Sequence, residues 1–330
     1  AMPLAQAETP QTTTPLSAID WFEKMMQSTK ERNYRGRFVY HNQKEMRSVD
    51  IVHAYQDQEY EKLEHLSGTP YHIIRRGKEL FCAGQSGTWM EIHQGGLPND
   101  VSFLKTTQSA KKLAEFYQIS QAGENRIAGR DAVIIELNPT DKHRYLHRFS
   151  IDQKTGLMLK YDIYDAEKPK KKPLESLEYI SIEVDQPFDE HLFSAPQKIV
   201  KLPPKPNNPP TKKTTEQALW NVTWVPAGFD RIETMAPLHE QTTDEGQSEI
   251  LFNQAYSDGL SMFSIFIQKR PDLKKNKIKR MGVSTIVEWA YESEESVWIT
   301  VVGDLPANTA VKIASSVESL TASEPKPDED

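Results

Sequence analysis

Residues 37–92 read RFVYHNQKEMRSVDIVHAYQDQEYEKLEHLSGTPYHIIRRGKELFCAGQSGTWMEI. Six runs, RFVYH, RSVDIVHAY, YEKLEHL, YHIIRRG, KELFCAG and TWMEI, read as strands parted only by turn material such as Gln-Lys, Ser-Gly-Thr-Pro and Gly-Lys. Connections this short leave no room for crossover helices, so the pattern predicts an antiparallel meander. A meander of this length must curl to protect its edges and its apolar face.

Upstream, Ser17 can cap a helix running from Ile19 to about Lys30, with Asp20 completing an S-x-x-D box and Ile19, Phe22, Met25 and Met26 on one face. Downstream of Gly95-Gly96, VSFLKTTQSAKKLAEFYQI places Leu104, Leu113, Phe116 and Tyr117 where short helices would lie across the curled sheet. Strands then resume with AVIIELNP, RYLHRFSID, LMLKYDIYD and ESLEYISIEVD, the Gln153-Lys154-Thr155-Gly156 turn joining two of them.

Residues 196–215, PQKIVKLPPKPNNPPTKKTT, hold six prolines and five lysines with no acid, a composition that favours extended polyproline backbone over packing. A boundary is expected there, and a chain of 330 residues is long enough for two domains. The predicted division is a large domain over 16–195, a linker over 196–217, a small domain over 218–322 and an acidic tail over 323–330. In the small domain, WNVTWVPAGF, SEILFNQAYSD, GLSMFSIFIQ, RMGVSTIVEWAY and ESVWITVVGD suggest an antiparallel sheet of about four strands. Asn308 to Leu320 is expected to form a terminal helix started by Pro306 and Asn308, with Ala310, Ile313, Ala314 and Val317 facing inward. The fold class is therefore α+β.

An apolar fraction of 37% and a charged fraction of 26% suffice to bury a core in each domain. A net charge of -7 gives no global field toward nucleic acid. Nothing approaches 18 consecutive apolar residues, so no helix is expected to span a membrane. Cys82, the one cysteine, sits among Leu80, Phe81 and Ala83 and reads as a small buried hydrophobe. Ala5-Gln6-Ala7 has the small-x-small form that signal peptidase reads, a pointer to export.

No catalytic, cofactor or metal site is expected. Gly84-Gln85-Ser86-Gly87 lacks the second glycine spacing of a nucleophile elbow. His143 and His147 lie in strand-like sequence, where four residues separate them by about 13 Å, too far to share one zinc ion. The phosphate-loop, dinucleotide and zinc-protease motifs are missing. What remains is binding: a curled sheet with one apolar face partly roofed by helices makes a cavity suited to acyl chains. Met25, Met26, Trp89, Met90, Phe103, Leu104, Phe116 and Tyr117 are the side chains expected near it, and they equally suit an ordinary core. Arg75-Arg76 and the run Lys168 to Lys172 are basic enough to meet lipid phosphates, although KPKKKP also reads as a solvated hairpin tip.

Several ordered segments then resemble the MucB/RseB family. In the small domain they are WNVTWVPAGFDRI, AYSDGLSMFSIFI and WITVVGDLPANTAVKIASSV. In the large domain, NRIAGRDAVIIELNPTDKHRYLHRFSIDQKTGLMLKYDIYD carries an A-G-R, an H-R-Y and a D-x-x-[ST]-G-L turn. The resemblance implies a periplasmic regulator of envelope stress. Such a protein binds the periplasmic domain of a membrane anti-sigma factor of RseA/MucA type and shields it from site-one cleavage by a DegS-type protease. It also implies a large domain like the lipoprotein carriers LolA and LolB, a curled half-barrel with a helical lid that senses lipid or lipopolysaccharide fragments. Partner contacts are then expected at Tyr256, Asp258, Met262, Phe263 and Phe266, and self-association into a homo-oligomer stays open. A periplasmic lipid or lipoprotein carrier of the LolA/LolB type is the alternative.

Overall fold

Ser17 starts the first helix as its capping box predicts: its hydroxyl accepts from the Asp20 backbone N–H at 3.2 Å while the Asp20 carboxylate accepts from the Ser17 N–H at 3.0 Å. The computed structural model describes residues 15–91, 109–169, 171–200, 220–232, 249–292, 294 and 296–320. Helix α1 spans Ala18–Glu31 and buries Phe22 and Met25 completely.

The meander is present as β1 (Tyr34–Asn42), β2 (Met46–Tyr55), β3 (Glu59–His65), β4 (His72–Arg76), β5 (Glu79–Ala83) and β6 (Trp89–Glu91). After α2 (Ala110–Leu113), a second meander follows: β7 (Tyr117–Ile127), β8 (Arg130–Pro139), β9 (Leu146–Asp152), β10 (Met158–Tyr164) and β11 (Glu175–Val184). Strand β11 pairs back onto β1, giving the order β6-β5-β4-β3-β2-β1-β11-β10-β9-β8-β7. A short β12 (Ile199–Val200) adds in parallel to β6, so the large sheet reaches into the proline-rich segment.

This sheet is curled. Laid flat, β2 and β7 would stand six strand spacings apart, about 29 Å. One helix about 10 Å across, α1, touches β2 on one side and β7 and β8 on the other. A register shift at Arg37/Phe38 adds local twist where β1 meets β11. Phe22, Met25, Phe38, Ile73, Ile135 and Phe149 belong to the core enclosed between helix and sheet.

The helix is fastened at its C-terminal half by the β9–β10 turn. Asp152 accepts from Arg130 Nη2 at 2.9 Å, from the Thr155 N–H at 3.0 Å and from the Thr155 hydroxyl, and the Thr155 carbonyl accepts from Ser28 Oγ at 2.8 Å. Gly156 is held at φ +79°, and a Cβ there would stand 2.8 Å from Ser28 Oγ. Burial raises the Asp152 carboxyl, but the Arg130 and Thr155 hydrogen bonds outweigh it and hold the group below its ordinary 3.8. Asp152→Ala is expected to cost about 2 kcal/mol by orphaning these buried donors, measured by urea unfolding at pH 7. Because the folded value is the lower one, the wild-type advantage is complete above the unfolded value and fades as pH falls through the folded value.

The small domain holds more strands than its sequence predicts. Strands β14 (Asp230–Ile232), β15 (Glu249–Ser257), β16 (Met262–Lys269), β17 (Lys277–Met281), β18 (Ser284–Ala290) and β19 (Val297–Asp304) form one sheet in the order β14-β15-β16-β19-β18-β17. The terminal helix α3 is shorter than expected, Ala307–Ala314. It stops where Ser316 Oγ bonds to the Ile313 carbonyl at 2.7 Å and the Trp224 carbonyl at 3.1 Å. Val317 does face inward, but from β20 (Val317–Ser319), which pairs with β13 (Trp220–Val222). Ala310, Ile313 and Ala314 pack on the face that carries Phe263, Ile265, Val287, Ile299 and Val301.

Candidate functional site

The turn between β15 and β16 carries Asp258, which is 4% exposed and has every acceptor position engaged. Oδ1 accepts from the backbone N–H groups of Leu260 at 2.9 Å and Ser261 at 2.8 Å, which shapes the turn. Oδ2 crosses to the large domain, accepting from Arg144 Nε at 2.9 Å and from the Tyr117 hydroxyl at 2.8 Å. One carboxylate therefore sets a small-domain turn and binds two large-domain donors.

Arg144 is 1% exposed, and its remaining donors are also engaged, Nη1 by the Asp141 carboxylate and Nη2 by the Ala227 carbonyl. Its guanidinium lies 4.9 Å from the Phe229 ring centre and 5.0 Å from that of Phe116. Gly228, at φ +85°, lets the backbone pass this slot, since a Cβ would stand 2.5 Å from the Phe116 ring. Burial, reinforced by the neighbouring Asp258 charge, pushes the Tyr117 hydroxyl well above its ordinary value and keeps it a donor.

The flanking residues extend the same junction. The Tyr145 hydroxyl lies 2.8 Å from the Leu305 carbonyl and 3.0 Å from that of Val283, and burial pushes its pKa up to about 12. His143 Nδ1 is 3.1 Å from Thr309 Oγ1, and its ring meets Trp224 edge-on at 5.0 Å. Lys112 pairs with Asp230 at 2.5 Å. His143, Arg144 and Tyr145, consecutive in the chain, each reach a different part of the small domain.

The hollow of the curled sheet under α1 is filled by core side chains, and these include part of the expected lipid group. Met25 is wholly buried in it, with Met26, Met90 and Phe116 packed against the same core. Trp89 alternates with Met90 along β6 and stands on the opposite face, 6.2 Å from the His72 ring. Tyr117 belongs to the core and to the junction at once. Phe103 and Leu104 lie outside the described residues. At the end of the hollow away from the small domain, Arg75 Nε stands 3.8 Å from Glu61 Oε1, and burial raises the Glu61 carboxyl against the pull of Arg75. That end of the hollow is polar.

The residues expected to meet a partner divide by strand parity. Phe263 is 1% exposed in the small-domain core and Tyr256 stacks on it, centroids 5.1 Å apart. Met262 and Phe266 are half-buried on the face turned away from α3. Asp258 is committed to Arg144.

A curled sheet joined to a small sheet domain across a junction centred on a buried ion pair defines a two-domain α+β protein. The chain belongs to the MucB/RseB family: the model of the MucB/RseB N-terminal domain matches residues 17–201 and that of the C-terminal domain residues 214–318. It is 28% identical over 308 residues to the sigma-E factor regulatory protein RseB of Haemophilus influenzae, covering 92% of this chain and 91% of that protein. It is 24% identical over 321 residues to the sigma factor AlgU regulatory protein MucB of Pseudomonas aeruginosa, covering 94% of each. The fold matches that of MucB in its crystal structure with periplasmic MucA, with a TM-score of 0.68 and 23% identity over 92% of this chain and 98% of that one.

Proposed function

We propose that this protein is a periplasmic regulator that holds the periplasmic domain of a membrane anti-sigma factor, shields it from a DegS-type site-one protease, and lets go when lipid or a lipopolysaccharide fragment enters the large domain. Family membership and the regulatory names of its relatives support the reading. The observation that carries the mechanism is the Arg144–Asp258 pair, because a lipid releases a protein partner only by favouring a state that binds the partner less well. An acyl chain entering beside Met25, Met26 and Met90 would disturb the core cluster to which Phe116 and Tyr117 also belong. Those two residues touch Gly228 and Asp258 in the other domain. Met262 and Phe266 supply the partner face on β16, with Tyr256 and Phe263 as its support from below. Phe103 and Leu104 remain candidate lipid contacts, whereas Trp89 faces away from the hollow.

The test mixes the purified chain with the periplasmic segment of its anti-sigma factor and a site-one protease. Protection is expected, and adding lipopolysaccharide fragments is expected to abolish it. Binding of lipid with no binding of the anti-sigma segment at micromolar concentrations would refute this reading in favour of a LolA/LolB-type carrier.

A further inference from the structure

Two lysine-rich segments far apart in sequence converge beside the domain junction. The β10–β11 hairpin tip carries Lys168, Lys171 and Lys172, and strand β17 carries Lys277, Lys279 and Arg280, all exposed. They run outward from one contact, where Leu174 packs with Tyr145 and Val283 and the Val283 N–H donates to Glu175 Oε1 at 3.3 Å. Lys172 is two residues from that contact on one side and Met281 two residues from it on the other. Lys277 reaches Glu288 at 4.0 Å, and the other five form no ion pair with a described carboxylate. In a chain of net charge -7, such a cluster is a local field of the opposite sign.

We propose that this composite surface rests on an anionic phospholipid bilayer. Five of its six charges are ammonium groups on flexible stems, which suit a diffuse negative potential better than the bidentate geometry of one bound phosphate. The surface spans two domains, wider than the single strand an acidic peptide would add to the open edge of β17. Met281, 40% exposed on the same face of that edge strand as Lys277 and Lys279, is an apolar side chain placed to enter the headgroup layer. On β17, Lys277, Lys279 and Met281 share the sheet face of Met262 and Phe266, three strands away from them.

The test is flotation of the full chain with vesicles of 70% phosphatidylcholine and 30% phosphatidylglycerol, against vesicles of phosphatidylcholine alone. Binding is expected only to the anionic vesicles and is expected to weaken sharply in 0.5 M salt. Lys277→Glu with Lys279→Glu, and separately Lys168→Glu with Lys172→Glu, are each expected to lower partitioning at least tenfold, since each basic residue at an anionic surface is worth about fivefold. The same charge change at Lys78 and Lys154, in the β4–β5 and β9–β10 turns at the opposite end of the half-barrel, is expected to leave most of the binding. All six positions are exposed, and unchanged circular dichroism verifies that the variants fold. Equal loss in the Lys78/Lys154 variant, or binding of a glutamate-rich peptide with no binding to anionic vesicles, overturns the proposal.

Discussion

Arg144→Ala is expected to destabilise the protein by about 4 kcal/mol and to separate the unfolding of the two domains. Breaking a buried ion pair by deleting one partner typically costs about 3–5 kcal/mol, because the remaining charge stays buried without compensation. Here the deletion leaves Asp258 with Tyr117 as its only cross-domain donor, removes the partners of Asp141 and the Ala227 carbonyl, and empties the slot between Phe116 and Phe229. Arg144→Lys is expected to recover little, since one ammonium cannot serve three acceptors that lie around a planar fork. Asp258→Asn keeps the turn bonds through its carbonyl but presents an amide N–H to Arg144, so its loss is expected at the junction and not in the β15–β16 turn. Calorimetry and limited proteolysis check this: a second transition and cleavage between the domains are expected in Arg144→Ala. A single transition within about 1 kcal/mol of wild type would show that the junction is held elsewhere.

The same residues mark how far the sequence was legible. The large sheet could be read from its short connections, and α1 from Ser17 and Asp20, because both depend on local chemistry. The curl followed from edge protection, a global argument that needs only the number of strands. Strands β14 and β20 could not be read, each having three residues and no room for a period; β13 lay within the WNVTWVPAGF run, but its separate pairing with β20 did not show; and β17 was hidden because Lys277–Met281 alternates no apolar side chains inward. The terminal helix was overextended because Val317 continues the helical stripe, while pairing with Val222 decides its actual state.

The junction was visible in outline only. The H-R-Y run and the Ser-Asp-Gly turn each carried the family resemblance, yet neither announces that Arg144 and Asp258 meet across 114 residues. Asp258 looked like a turn residue and is one, through Oδ1; its other oxygen holds the second domain. The A-G-R and D-x-x-T-G segments meet as Arg130 and Asp152, which fasten α1. Parity supplied one usable signal: Trp89 and Met90 are neighbours in a strand, so only one of them can face the hollow.

Acidification is expected to cost the wild-type protein about 3 kcal/mol through His147 alone. This residue is 1% exposed on β9, with Nδ1 2.7 Å from the Tyr161 hydroxyl and its ring 5.7 Å from that of Tyr117. Burial lowers its pKa to about 4 despite the opposing pull of Asp258, against an ordinary 6.5. Burial also pushes the Tyr161 hydroxyl well above its ordinary value, so it donates to the neutral ring. Above pH 6.5 the imidazole is neutral in both folded and unfolded chains and contributes nothing to the pH dependence. Between 6.5 and 4 the unfolded chain takes the extra proton and the folded one does not, so stability falls as pH falls. Below 4 the loss is complete, and the gap between the two values amounts to about 3 kcal/mol. His147→Gln lacks this titration. Urea unfolding at pH 7 and pH 4 is therefore expected to show a wild-type loss exceeding that of His147→Gln by about this amount, and parallel losses in the two proteins would remove His147 as the cause. Because the ring stands 5.7 Å from that of Tyr117, which donates to Asp258, the proton it accepts at low pH places a positive charge beside the junction that also holds Arg144.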